Sequence, residues 1–309
     1  VVLVRTLEPD EVAVSPRHNA AAHSLAAAMP RLVVAARRTS ASIIHGLHGR
    51  RRAGIGENFW QYRRYSQGES ASRVDWRRSA LGDHLYVREQ EWEAAHTVWI
   101  WIDRSRSMAF KSDLAQDSKL ERAAIMALAL ADVLVRGGER VGLIGLGAPT
   151  ASRRAIDILA DRLAAAPPDE TMPAPRPLSQ LSEAVLIGDF LEPEDEIATA
   201  VRGLAGNGAR GHILAVSDPV EETFPFSGRT EFVDPEAMTR FTLGRAQDLR
   251  NEYGVRLRAH REALRLIAGP LGWSTALHRT DRPASEALLA LYAQLTERPS
   301  DVRGERLVG

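Results

Sequence analysis

An unbroken apolar run, Thr97-Val98-Trp99-Ile100-Trp101-Ile102, stops abruptly at Asp103-Arg104-Ser105-Arg106-Ser107-Met108. β-Branched and aromatic residues without polar alternation predict a strand buried on both faces, and such strands belong to sheets covered by helices on either side. The chain beyond keeps that rhythm. Ser118 and Glu121 stand at capping-box spacing and open a helix that runs to Val135 and stops at Gly137-Gly138. Val141 to Leu146 is the next strand, Ala155 to Ala165 a helix ended by Pro167-Pro168, and Ala184 to Gly188 a third strand closed by Asp189. Pro193 opens another helix, Ile213 to Val216 is a fourth strand closed by Ser217-Asp218, and a long amphipathic helix follows from about Leu243 to Ala268. Trp273 to His278 and a helix from Pro283 to Leu295 complete the pattern. Strand–helix alternation over this length predicts an α/β fold with a mostly parallel sheet.

The segment before the run differs. Residues 1 to 18 read as a lead-in, and Asn19 to Ile44 as an Ala-rich helical stretch that Pro30 divides into two short helices. Glu57 to Tyr65, Arg73 to Arg77 and His84 to Glu89 are extended, and predict a β-meander feeding the central strand. The expected organisation is an N-terminal helical and β-meander region at 1–95, an α/β domain at 96–296 and a polar tail at 297–309. A chain of 309 residues has room for such a core. The formal net charge of zero recruits neither nucleic acid nor an acidic membrane, and the absence of cysteine excludes disulfides, thiolate catalysis and Cys-ligated zinc. No apolar stretch is long enough for a bilayer, and Val1 to Arg5 lack signal-peptide features, so a cytoplasmic protein without an integral membrane segment is expected.

Ligands of open parallel sheets bind beyond the carboxyl ends of the strands, where Asp103, Asp189 and Asp218 all fall. In Asp103-x-Ser105-x-Ser107 alternate spacing turns a carboxylate and two hydroxyls toward one point, as a hard cation requires; a polar turn that caps a helix is the competing reading. Known catalytic patterns do not fit. A haloacid-dehalogenase-like phosphatase needs an Asp where Ser105 stands, and an α/β-hydrolase needs a G-x-S-x-G elbow that is absent. A receiver domain needs a Lys, and neither lysine, Lys111 nor Lys119, is expected on this side of the sheet. No Walker A or G-x-G-x-x-G motif occurs. A non-enzymatic binding site for Mg²⁺, or Mn²⁺, remains, with metal-dependent hydrolysis at the same site as the alternative. Neutral hydroxyls leave such an ion under-neutralised, with an open position for a partner's carboxylate.

Other features read more simply. His45 and His48 suit a helix end better than a metal pair, and Glu89, Glu91 and Glu93 a solvated strand face. Arginines and aromatics alternate from Arg50 to Tyr65, as single-stranded nucleic-acid sites require, but the neutral charge favours ordinary strand packing there.

From Asp103 to Asp189 the chain resembles a von Willebrand factor A domain, and more broadly it resembles domain-of-unknown-function family 58. The motifs are G-E-N-F-W-Q-Y-R-R-Y at 56–65, V-D-W-R-R-S-A at 74–80, Y-V-R-E-Q-E-W-E at 86–93 and D-R-S-R-S-M at 103–108. They continue with G-G-E-R-V-G-L at 137–143, S-D-P-V-E-E at 217–222, V-D-P-E at 233–236 and H-R-T-D-R-P at 278–283. The resemblance implies a von Willebrand factor A-like Rossmannoid and an adaptor that couples a MoxR-type AAA+ ATPase to a client protein. It assigns Asp103, Ser105, Ser107 and Asp189 to a metal-ion-dependent adhesion site. The family's intervening threonine falls on Thr171, with Thr150 and Ser179 as competitors. Glu69 in place of Asp and Leu81 in place of Arg depart from the family pattern. So does the lack of upstream membrane-spanning segments, so membrane tethering is not carried over.

Overall fold

A short strand, β1 (Leu3–Thr6), precedes one 29-residue helix, α1 (Ala20–His48). The computed structural model describes residues 3–6, 20–48, 61–66, 74–80, 82, 84–89, 96–167, 172–234 and 239–296. Pro30 lies inside α1, so the expectation of two short helices is corrected. Leu25, Met29, Leu32, Ala36 and Ile43 form a buried stripe at helical spacing. Burying such side chains contributes about 1.5–3 kcal/mol apiece for the larger ones, enough to outweigh the roughly 3 kcal/mol that an internal proline costs.

Residues 46–95 form a compact unit of their own. There β2 (Gln61–Arg64) pairs antiparallel with β3 (Tyr86–Glu89), and Val74 bridges to Val87. Between them Trp76–Ser79 is a single helical turn, α2, where the expected second extended segment, Arg73 to Arg77, was to continue. Asp75 causes this by accepting a hydrogen bond from Arg78 N, as an N-cap does. Arg50 to Trp60, Glu69, Leu81, Glu91 and Glu93 lie outside the described residues.

The larger unit contains the α/β core. Its elements are β4 (Thr97–Ile102), α3 (Lys119–Arg136), β5 (Arg140–Leu143), α4 (Ala155–Ala165), β6 (Ser182–Gly188), α5 (Glu194–Ala205) and β7 (Arg210–Ser217). They continue with α6 (Pro219–Thr223), β8 (Thr230–Val233), β9 (Arg240–Leu243), α7 (Arg250–Ala268), β10 (Ser274–Arg279) and α8 (Ala284–Thr296). Five strands form one parallel sheet in the order β10-β7-β6-β4-β5, with helices on both faces, as the strand–helix rhythm predicts. On one face α3 packs against α4 and α8. On the other, Trp101, Leu186, Ile213 and Trp273 meet α5 and α7 through Ile197, Val201, Leu264 and Ala268. From β4 the chain goes out to β5 on one side and returns to β6 on the other, so the strand order reverses between β4 and β6. Ligands of such sheets occupy this crevice.

The sequence predicts a helix from about Leu243 after β7. Instead β1, β8 and β9 form a small antiparallel sheet, and α7 begins only at Arg250. Phe224, Phe232 and Ala246 are its core, flanked by Phe226, Leu249 and Tyr253.

Candidate metal-binding site

The register Ile102↔Ile187 places Asp103, just past the end of β4, beside Gly188 at the end of β6. Asp103 N donates to Ile187 O at 2.9 Å, which continues the ladder by one residue. A Cβ at Gly188 would lie 2.7 Å from Asp103 Cβ, closer than any side chain allows, so only glycine lets this aspartate sit against β6. Asp103 Oδ1 then accepts from Ser105 N at 2.9 Å and folds the loop back on itself. The two serine hydroxyls lie 3.0 Å apart, and Ser107 Oγ donates to Asp189 Oδ2 at 2.7 Å. Four of the five sequence-predicted residues, Asp103, Ser105, Ser107 and Asp189, are thus brought together and buried.

The fifth, Thr171, lies outside the described residues. Its competitors stand elsewhere. Thr150 pairs with Val141 near the amino end of β5, and Ser179 precedes β6 at the strand end opposite Asp189. Asp218 is also accounted for structurally. Its carboxylate caps α6 through Val220 N and accepts from Ser112 N.

Two charged residues at this end of the sheet, Glu192 and Lys119, escaped the sequence reading. Glu192 brings a third carboxylate, and oxygens of Asp103, Asp189 and Glu192 all lie within 4.8 Å of one another. Lys119 is fully buried and donates to Asp189 Oδ2 at 2.7 Å and to Glu221 Oε1 at 2.8 Å. The expectation that no lysine occupies this side of the sheet is therefore wrong. Lys119 is the first residue of α3, and the predicted capping box places it there: Ser118 accepts from Glu121 N while Glu121 accepts from Ser118 N. A lysine directly after a cap, with strand-end acids opposite, is the signal that would have revealed it.

The electrostatics divide the cluster in two. Burial alone would lower the lysine's pKa, but Asp189 and Glu221 outweigh it and hold Lys119 protonated. Burial likewise opposes ionisation of Asp189, yet Lys119 and the hydrogen bonds from Lys119 and Ser107 keep its pKa below the usual range. Asp103 has no such partner. Burial, then Asp189, then Glu192 push its pKa well above the ordinary value. Its Oδ2 is buried and makes no hydrogen bond. An orphaned carboxylate oxygen among two other carboxylates and two hydroxyls fits a hard divalent cation. The backbone is also strained beside the site. Phe190 and Phe224 are the two described non-glycine residues with positive φ, at 53° and 42°. One directly follows Asp189, and the other ends the short helix that carries Glu221.

Fold and site together define a doubly wound α/β protein with a carboxylate–hydroxyl cluster at the carboxyl ends of two adjacent strands. The chain belongs to the family described as "Protein of unknown function DUF58", whose model matches residues 61–263. It is 29% identical to "Uncharacterized protein Rv1480" of Mycobacterium tuberculosis and to "Uncharacterized protein Mb1516" of Mycobacterium bovis, over 84% of this chain and 86% of each relative. Among solved structures, BatB from Bacteroides thetaiotaomicron is 16% identical with a TM-score of 0.41. An aerotolerance-related membrane protein from Bacteroides fragilis is 19% identical with a TM-score of 0.43. Each match covers 66% of this chain and all of the other. Among the described residues, no helix is long and apolar enough to cross a membrane.

Proposed function

We propose that this protein is a metal-dependent protein-interaction module, an adaptor that captures a carboxylate of a partner at the Asp103–Asp189 site. The observation that carries this reading is the buried Asp103 Oδ2, which makes no hydrogen bond and lies in a cluster with Asp189 and Glu192. Asp103, Ser105, Ser107, Asp189 and Glu192 would hold the ion, with Thr171 as the hydroxyl that the family resemblance assigns. Mg²⁺, or Mn²⁺, would supply a coordination position open to an incoming carboxylate oxygen. The protein's own residues do the rest. Ser107 and Lys119 fix Asp189 Oδ2, Gly188 makes room for Asp103, and the strand ends hold both aspartates in register. The family resemblance supplies the partners, a MoxR-type AAA+ ATPase and a client protein.

A hydrolase at the same site is the alternative reading. Lys119 does not favour it, because an ammonium fully buried between two carboxylates is closed to substrate. Affinity capture with tagged protein, with and without EDTA, tests the adaptor reading. Partners should be retained in Mg²⁺ and lost both with EDTA and in Asp103→Ala. Equal recovery in all conditions would contradict it, and turnover of a phosphoryl or acyl substrate lost in Asp103→Ala would favour the hydrolase.

A further inference from the structure

α7 has 19 residues, yet only Leu264 and Ala268, in its last two turns, are buried. Its earlier turns carry Tyr253 against Phe224 and otherwise border two cavities. A cavity of ≈ 270 Å³ runs between α7 and the carboxyl ends of β7 and β10, walled by Leu191, Ala215, Leu257, Leu264 and Leu277. Asp189 lines the same cavity, so the apolar space borders a residue of the candidate metal site. Arg256 and Arg261 stand along it on successive turns of α7, and Leu191 and Leu277 are partly exposed at 37% and 44%. A second cavity of ≈ 250 Å³, lined by Phe224, Phe226, Phe232 and Phe241, shares Glu221, Tyr253 and Arg256 with the first.

We propose that the cavity between α7 and β10 is the specificity pocket of this site, taking a branched aliphatic side chain of a partner peptide that lies next to the coordinating acidic residue. The inference rests on the carboxylate-binding reading above and adds the class of sequence that is bound. Two features of the cavity select this occupant. Four leucines, Ala215 and Val216 line it, which favours an aliphatic group over a polar one. Arg256 and Arg261 on its rim are paired with Glu252 and Glu222, so the preference for an anion joined to that group comes from the proposed cation at Asp189. An acidic residue adjacent to Leu satisfies both within one dipeptide length.

Fluorescence anisotropy on the full chain in Mn²⁺, with labelled hexapeptides carrying Asp-Leu, Leu-Asp, Asp-Ala or Asn-Leu between Gly and Ser flanks, tests this. Mn²⁺ binding is followed separately by electron paramagnetic resonance. The better of the two Asp/Leu peptides should bind about tenfold or more tighter than Asp-Ala, as burying a few methylenes implies, and Asn-Leu should bind weakly. Ala215→Leu, which fills the cavity, and Leu277→Gln, which makes its wall polar, should each erase the Leu advantage while Mn²⁺ still binds. Equal affinity for the Asp/Leu and Asp-Ala peptides would overturn the pocket and leave carboxylate capture standing. A Leu advantage that survives Ala215→Leu and Leu277→Gln alike would also overturn it. Absence of Mn²⁺ binding together with absence of Asp-Ala binding would overturn both readings.

Discussion

Lys119 Nζ lies 2.7 Å from Asp189 Oδ2, the same oxygen that accepts the Ser107 hydroxyl. One oxygen of Asp189 is thereby engaged twice from within the protein. A built-in cation thus shares the cluster with the proposed metal and balances Asp189, while Asp103 has no such partner.

Replacing Lys119 by Met should cost about 3–5 kcal/mol, because it strands two buried carboxylates that the ammonium now pairs. Urea unfolding of the variant measures this. Adding Glu221→Gln to Lys119→Met should recover part of the loss, since the two residues share one network and their effects are not additive. A loss below about 1 kcal/mol would mean that the ion pair contributes little.

Gly188→Ala should displace Asp103, whose Cβ the new methyl would meet at 2.7 Å. Overpacking of this kind costs about 1–3 kcal/mol. Cation affinity should fall more than the stability change suggests, because the displaced group is the proposed ligand. Parallel denaturation and Mn²⁺ titration separate the two effects. Unchanged metal affinity would place the ion elsewhere.

Ser118→Ala removes the cap in front of Lys119 and should destabilise the protein by about 1 kcal/mol. Because α3 starts at Lys119, fraying there should also loosen the lysine. Hydrogen exchange over the first turn of α3 should speed up relative to the rest of the helix.

His278 supplies a pH dependence distinct from the metal site. Burial, and then the nearby Arg122, hold its pKa at about 4, below the ordinary 6.5, and its Nε2 has no hydrogen-bond partner. The native state thus resists protonation, and the unfolded chain takes up the proton first as pH falls. The contribution is fully present above about pH 6.5 and is lost progressively down to about pH 4, by up to about 3 kcal/mol. Between about pH 6.5 and about pH 4 the unfolding free energy of wild type should fall by that amount relative to His278→Gln, which has no titrating group at this position. Parallel curves would contradict the account.

The parallel sheet was legible because its strands are long apolar runs, and the D-x-S-x-S loop because it interrupts one of them so sharply. What the sequence hid was non-local or short. Strands β8 and β9 have four residues each, too few for a period to register, and β8 pairs with β1 from the far end of the chain. Pro30 overstated its effect, because a buried stripe along α1 outweighs one lost hydrogen bond. Lys119 and Glu221 are 102 positions apart, and nothing local marks them as partners. Glu192, three residues past Asp189, was within reach as a further strand-end acid.

The central claim is that Asp103 is the unsatisfied ligand of a divalent-cation site. Mn²⁺ titration followed by electron paramagnetic resonance, on wild type and on Asp103→Asn, tests it most directly. The substitution keeps the shape of the side chain and removes its charge. One ion bound per chain in wild type, displaced by excess Mg²⁺ and lost in Asp103→Asn, is the predicted result. Equal binding by the two proteins, or no binding by wild type, would contradict it.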